Sequence, residues 1–280
     1  MRLRLRADRL LLGFRGLGLL RGWPFQDPDR AADVIAAIAR ISARSDEYSE
    51  FEVEALDAGE AFTAWSATYD PAVNTLIAAE EPAVRAILEE IVPGKALDLA
   101  CGTGRLSRIL RDLGNDVVAS DGSPAMLRRA RGDRAAEAFV CADLHWLPFP
   151  DACFDLAVCG LSLTHVKDLG PPIAEIARTV RPGGNIVLSD IHPLAVATGA
   201  HAFFGREDGS QAVARNEVHW PAAYVTAFRS AGLMVERLVE PIFDRVLLEM
   251  VSDPDLRAAL EIGVVGLPYA LVWHLVCSDT

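Results

Sequence analysis

No uninterrupted apolar run in this chain reaches the length of a membrane span, although 51% of its 280 residues are hydrophobic. Nothing pairs its cysteines either. The five, Cys101, Cys141, Cys153, Cys159 and Cys277, are an odd number without a CxxC or Cys/His ligand spacing. Neither a disulfide framework nor a zinc centre is expected, no metal site is assigned, and the thiols read as buried groups of a reducing cytoplasm. A positive surplus is missing too: the net charge of −12 repels a nucleic-acid backbone wherever no local basic patch intervenes. There is no internal repeat and no low-complexity linker. What remains is a length suited to one large domain, or a core with an elaboration.

The first 23 residues break the pattern of the rest. "MRLRLRADRLLLGFRGLGLLRGW" holds six arginines against Asp8 alone. Arg15 interrupts its apolar run, and no small-residue cleavage site follows, so it is not a secretory signal. A membrane-surface helix or a transit segment stays open; a loosely ordered basic arm over 1–27 is the favoured reading. From Pro28 the spacing of Val34, Ile35, Ile38 and Ile41 predicts a helix with Asp29 as its N-cap. The acidic stretch "SDEYSEFEVEALDAGE" reads as a solvated helix face or connector. Interrupted amphipathic helices then run to Pro93-Gly94, so 28–94 is expected as a helical cap or lid.

From residue 95 short apolar strands alternate with helices. Strands are expected at 96–100, 116–121, 138–142, 154–159, 185–191, 233–240 and 270–276, with helices at 104–113, 123–131, 169–180 and 220–231. That alternation means a parallel sheet covered on both faces, and places 95–280 in one core. After residue 191 the pattern lapses for about thirty residues, longer than an ordinary connection, which suggests a substrate-covering insertion at about 193–219. In such sheets ligands lie outside the carboxyl ends of the strands. There the sequence places "ACGTG", Asp121, Asp143, "GLSLTHV" and "SDIHP".

The glycine turn narrows the ligand. A Walker loop needs GxxxxGK[ST], and "ACGTGRLS" has no lysine. The dinucleotide fingerprint needs a third glycine where Ser107 stands. Gly102 and Gly104 still give a tight turn and a close backbone approach. Asp121, 17 residues past Gly104, is placed to accept from two ribose hydroxyls, and Asp143 from an exocyclic amine. Together they describe an adenosine ligand with a small charged tail and no pyrophosphate.

The segments "LDLACGTG", "VVASDGSPAML", "ADLHWLPFPDACFDLAVC" and "EIARTVRPGGNIVLSD" resemble the class I S-adenosylmethionine-dependent methyltransferases, in the small-molecule branch of ubiquinone-type and natural-product enzymes. The likeness runs in order over about residues 95–192, roughly a third of the chain. It implies an α/β, Rossmann-like, seven-stranded and mostly parallel sheet of order 3-2-1-4-5-7-6, with strand seven antiparallel. It implies S-adenosyl-L-methionine as cofactor. Asp98, Ala100, Cys101, Gly102 and Gly104 would surround its methionine end, Asp121 and Gly122 its ribose, and Asp143 and Leu144 its adenine. Residue 100 departs from the family's usual glycine. "WSATYD" resembles the aromatic helix that covers the cofactor in relatives, which makes Trp65 and Tyr69 neighbours of the sulfonium; a helix docked on the core is the alternative.

A protonated oxygen or nitrogen acceptor benefits from a general base, and histidine serves near neutral pH. His165 after strand four, His192 after strand five and His219 at the next helix are the candidates. Asp190 is expected to hold a histidine tautomer or to cap its strand. His145, His201 and His274 are read as surface or packing residues. The expected substrate is a small, aromatic or polyketide-like metabolite, with the methylated atom unassigned. No nucleic acid or membrane partner is expected, and a homodimer is left open. A catalytically silent cofactor-binding protein and a nicotinamide-dependent dehydrogenase are the competing readings. A valine at Gly104 is expected to block the ligand's approach without unfolding the chain.

Overall fold

Apolar runs bounded by glycine and proline build the sheet that the alternation predicts, in a computed structural model that describes residues 1–23, 25, 27–70 and 74–278. The chain divides into two compact units, Ala55–Pro241 with Tyr269–Thr280, and Met1–Glu54 with Ile242–Pro268. The larger unit holds strands β1 (Lys95–Leu99), β2 (Asp116–Asp121), β3 (Ala138–Cys141), β4 (Phe154–Gly160), β5 (Val180–Ile191), β6 (Leu233–Val239) and β7 (Ala270–Cys277). They lie in the order β3-β2-β1-β4-β5-β7-β6, with β7 antiparallel to both β5 and β6. This is the expected α/β sheet and the expected order. Only β5 starts early: "RPGG" is drawn into it as an irregularity, where the register against β4 jumps from Phe154↔Val180 to Leu156↔Asn185. A Cβ on Gly184 would lie 2.9 Å from the Asp155 carbonyl oxygen, so the bend requires glycine.

Helices cover both faces. On one side α1 (Thr75–Leu88) and α2 (Arg105–Asp112) bury Val84, Ile87, Leu106, Ile109 and Leu110 against Val117, Leu156 and Val187. On the other, α3 (Gly170–Thr179) and α4 (Pro221–Ser230) bury Ile173, Ile176, Tyr224 and Phe228 against Leu188, Leu271 and Trp273. Alternate residues of β5 and β7 therefore serve opposite cores, as a sheet buried on both faces demands. The lapse after β5 is a short helix, Pro193–Ala197, and a hairpin of Ala202–Gly205 with Gln211–Ala214.

The smaller unit corrects the reading of the N-terminus. Residues expected as a flexible arm form a strand, Arg2–Arg6, and a helix, Ala7–Gly22. The strand pairs antiparallel with the acidic stretch, which is strand Glu50–Leu56 and not a helix face. Opposite charges meet across the pair, Arg2 on Glu52 at 3.4 Å, so both sequence oddities have one cause. Arg6 donates to Asp8 at 2.9 Å and to the Ser45 hydroxyl at 2.6 Å. Arg21 donates to the carbonyls of Gly263 and Val265 at 2.9 and 3.0 Å, capping helix Pro254–Gly263. The segment 28–94 is accordingly not one helical cap: helix Pro28–Ala43 and the strand precede the larger unit, and residues 71–73 within it lie outside the described residues. Among the described residues no helix is long and apolar enough to cross a membrane.

Candidate active site

The chain leaves β1 at Ala100 with φ +48°, followed by Gly102 at +56° and Gly104 at +86°. A Cβ in that left-handed region costs ~1–2 kcal/mol, which glycine avoids and Ala100 bears. The two glycines answer to different neighbours. A Cβ on Gly102 would meet nothing within 4 Å, so bare backbone faces an open cleft. A Cβ on Gly104 would collide with the Cβ of Ala135. The expectation for Gly104 is thereby corrected: a valine there strikes packing behind the turn, not the ligand's path.

Asp98, next to last in β1 and 1% exposed, accepts from the Ser107 hydroxyl at 2.5 Å. The residue replacing a third glycine thus holds the first acid. The other carboxylate oxygen of Asp98, Oδ1, has no hydrogen-bond partner among the described residues. Burial pushes this carboxyl up to about 7. Asp98, Ala100, Cys101, Gly102, Thr103 and Tyr69 line a narrow cleft, which Leu161 closes from the end of β4. Burial drives the Cys101 thiol far above its ordinary range, so it offers no nucleophile. Arg105, also on the cleft, is held by Glu80 and by Glu81 at 3.1 Å, and so is a structural cation of α2.

Asp121 accepts the Gly102 N–H at 2.8 Å and the Ser123 N–H at 2.7 Å, one on each oxygen. It fixes the turn against the end of β2, and each oxygen keeps a lone pair for a diol. Burial raises its pKa as well. Next to it, a Cβ on Gly122 would come no closer than 3.7 Å to the Ala142 carbonyl oxygen. Asp143 is placed differently. Its side chain is 73% exposed and accepts from the His145 N–H at 2.8 Å; the imidazole Nδ1 lies at 2.7 Å, and the two contacts hold its pKa low. It is not among the residues lining the cleft, and Leu144 packs half-buried on the core.

Tyr69 follows helix Ala58–Trp65, on a segment pinned by Asp70. Asp70 accepts from the Thr103 hydroxyl at 2.6 Å and from the Arg129 guanidinium at 3.0 Å, which sets Tyr69 beside the glycine turn. Tyr69 and Leu161 also line a second cavity of about 240 Å³. Phe62, Trp65, Phe203 and Ile191 give it an apolar wall. Trp65 is itself locked by stacking on Phe204, 4.8 Å between centroids. Its polar lining includes Thr164, His165, Asp190, His201 and Asn216, together with Asn74 and the hydroxyls of Tyr69, Thr75 and Tyr269, with no lysine or arginine among the described lining residues.

The three candidate histidines part company here. His165 lines this cavity, edge-on to Phe62 at 5.1 Å, with Nδ1 at 3.0 Å from the Arg215 carbonyl oxygen. Burial lowers its pKa, so it is neutral at pH 7. His192 is not among the lining residues. Its Nδ1 accepts the Leu194 N–H at 3.1 Å, capping helix Pro193–Ala197, and Nε2 lies 3.2 Å from Glu240. Both of its nitrogens are engaged. His219 Nε2 donates to the Val166 carbonyl at 2.7 Å and likewise does not line the cavity. Asp190 holds no histidine tautomer: its oxygens accept from the Tyr224 hydroxyl at 2.7 Å and the Ile191 N–H at 3.0 Å, and burial pushes it up to about 7. Sequence reasoning missed His201 and Asn216. Their only signal was position, at the two ends of the hairpin in the lapse after β5.

Residues 97–188 match a family model described as a methyltransferase domain. A malonyl-[acyl-carrier protein] O-methyltransferase of Pseudescherichia vulneris is 42% identical over 104 residues, 37% of this chain and 41% of that protein. A demethylmenaquinone methyltransferase of Renibacterium salmoninarum is 38% identical, over 36% of this chain and 44% of that protein. The chain thus spans about two fifths of the length of the curated relatives it matches. Among solved structures, an S-adenosylmethionine-dependent methyltransferase from Mesorhizobium loti superposes with a TM-score of 0.56 at 26% identity, covering 72% of this chain and all of that one.

Proposed function

We propose that the chain is a class I S-adenosylmethionine-dependent methyltransferase that methylates a hydroxyl on a small, neutral, aromatic or polyketide-like acceptor, with His165 as the base; the matched methyltransferase domain and the similar methyltransferases support this reading. The residues of the cleft suit S-adenosylmethionine. The unpartnered Asp98 Oδ1 offers an acceptor for the ammonium of its tail, Gly102 admits that tail without a side chain, and Asp121 keeps two lone pairs for the ribose. When bound, this cofactor supplies a methyl group already activated on a positively charged sulfur. The protein then has little covalent chemistry to perform, and positioning carries much of the rate.

The observation that carries the reading is the pairing of His165 with an aromatic wall in a cavity that shares Tyr69 and Leu161 with the cleft. A carbonyl oxygen only accepts, so the contact to Arg215 puts the ring proton on Nδ1 and leaves the lone pair on Nε2. That nitrogen can take the proton of an acceptor hydroxyl as its oxygen gains the methyl group. An acceptor carboxylate, as the relatives' malonyl name describes, arrives already ionised and has no proton to give.

The test is single-turnover transfer of labelled methyl by the wild type and by His165→Ala between pH 5 and 9. Removing the base should cost about 10²–10⁴ in rate, with cofactor affinity unchanged. In the wild type the rate should rise through a pKa below the ordinary 6.5, because burial lowers it. Equal rates and superimposable pH profiles would remove His165 from the chemistry.

A further inference from the structure

One peptide unit governs two histidines of the acceptor cavity. The Arg215–Asn216 peptide follows the hairpin strand Gln211–Ala214. Its carbonyl oxygen lies 3.0 Å from His165 Nδ1, and its N–H lies 3.2 Å from His201 Nδ1. A carbonyl accepts and an amide N–H donates, and neither can do the reverse. His165 Nδ1 must therefore carry a proton, while His201 Nδ1 must present a lone pair. It follows that, with both rings neutral, His165 shows a bare Nε2 and His201 shows an Nε2–H. The same residue type is fixed in opposite tautomers by the two ends of one amide.

The peptide is well placed to hold them. The next residue, Glu217, donates its N–H to the Thr164 carbonyl at 2.6 Å, and the Thr164 hydroxyl donates back to the Glu217 carbonyl at 3.3 Å. The segment after the hairpin is thus stitched to the turn Leu163–His165 on both sides of the contact. Asn216 adds a third polar group. It lines the cavity at 6% exposure, and its side-chain oxygen has no hydrogen-bond partner among the described residues. A buried amide oxygen left unpaired costs about 1–3 kcal/mol, which a ligand donor recovers.

We propose that His201 and Asn216 are specificity-determining residues that select an acceptor with two adjacent oxygens on one ring, of the catechol or ortho-hydroquinone class. The inference rests on the reading above, in which this cavity holds the acceptor. One hydroxyl donates to His165 Nε2 and is methylated. The neighbouring oxygen accepts from His201 Nε2–H, and as a hydroxyl it donates onward to Asn216 Oδ1. A lone phenol satisfies only the first of these three groups, leaving the half-buried His201 donor without a ligand partner and the buried Asn216 acceptor unpaired. Discrimination of this kind, by buried groups left without partners, is much stronger than discrimination by shape.

Two measurements test it on the full chain loaded with S-adenosylhomocysteine. Long-range ¹⁵N–¹H correlation of ¹⁵N-histidine protein at pH 7.5, assigned with His165→Gln and His201→Gln, should show the His165 proton on Nδ1 and the His201 proton on Nε2. The same tautomer in both rings overturns the proposal, whatever the protein catalyses. Calorimetric binding of 4-methylcatechol should be at least about tenfold tighter than that of 4-methylphenol, the equivalent of one net hydrogen bond. His201→Phe should bring the two within about threefold, and His201→Gln, which keeps an N–H, should restore part of the difference. Should His201→Phe not fold, the wild-type ratio and the tautomers decide. Equal binding of the two ligands, or binding of neither, overturns the inference. Discriminating binding without any methyl transfer would leave it standing and remove the methyltransferase reading instead.

Discussion

At the scale of single residues the site is a set of acids and imidazoles whose protonation is set by burial. Asp98 is the sharpest case. Serine donates to one oxygen, the other is bare, Arg105 lowers and Asp121 raises its pKa, and burial prevails, pushing it up to about 7. The sign follows. Between about 4 and 7 the folded chain holds a proton that the unfolded chain has released, so this residue's contribution to stability is lost as pH rises through that window. Asp190, raised to a similar value, acts in the same sense. Relative to wild type, cofactor-free Asp98→Asn should gain up to ~2 kcal/mol between pH 5.5 and 7.5, read from denaturant melts at the two pH values. Cofactor binding should run the other way. A cationic amine needs the ionised carboxylate, so affinity should climb as pH rises through about 7 in the wild type and stay flat in Asp98→Asn. Titration calorimetry showing parallel pH profiles would take Asp98 out of the ammonium site. The glycines separate in the same way. Gly102→Val, with open space around its Cβ, should weaken the cofactor more than the fold, whereas Gly104→Val should destabilise the chain itself.

At the scale of elements, what was legible in the sequence was whatever repeats locally. Every core strand and helix of the sheet stands within a few residues of its expected bounds, because an apolar run between glycine and proline needs no knowledge of its partner. The glycine turn and Asp121 were legible for the same reason: a strand end and a turn fix where they lie. The histidines were not. Whether His192 meets Glu240 or His201 faces a cavity depends on neighbours some 15 to 50 residues away, such as Asn216 and Glu240, which no local pattern names. The N-terminal arm failed on the same ground. Its arginines look solvated until Glu50, Glu52, Ser45 and the carbonyls of Gly263 and Val265 are brought to them. Two glycines make the helical pairing possible: a Cβ on Gly18 would strike Ile262, and one on Gly263 would lie 2.9 Å from the Phe14 carbonyl carbon. Gly263→Val should therefore cost about 1–3 kcal/mol by overpacking. Hydrogen exchange in helices Ala7–Gly22 and Pro254–Gly263 would report it, and unchanged protection in both would show that the close approach is not needed.

At the scale of the whole molecule, a sheet closed on both faces carries two adjoining spaces on its ligand edge. The cleft at the glycine turn presents Asp98, Arg105 and bare backbone; the cavity presents aromatic rings, hydroxyls and two imidazoles beside Asp190. That division of labour suits a charged cofactor beside a neutral acceptor. It also separates the competing readings. A nicotinamide-dependent dehydrogenase would need the third glycine whose place Ser107 takes to hold Asp98. A silent cofactor-binding protein would show bound cofactor and no methyl transfer, which the proposed role of His165 as base does not allow. The most direct measurement supplies purified protein with labelled S-adenosylmethionine and, in parallel, a panel of neutral phenols and catechols and a malonyl thioester. Label on a phenolic oxygen, and none on the thioester's carboxylate, is the result this account predicts. Label on the malonyl carboxylate alone, or bound cofactor with no transfer to any acceptor, would contradict it.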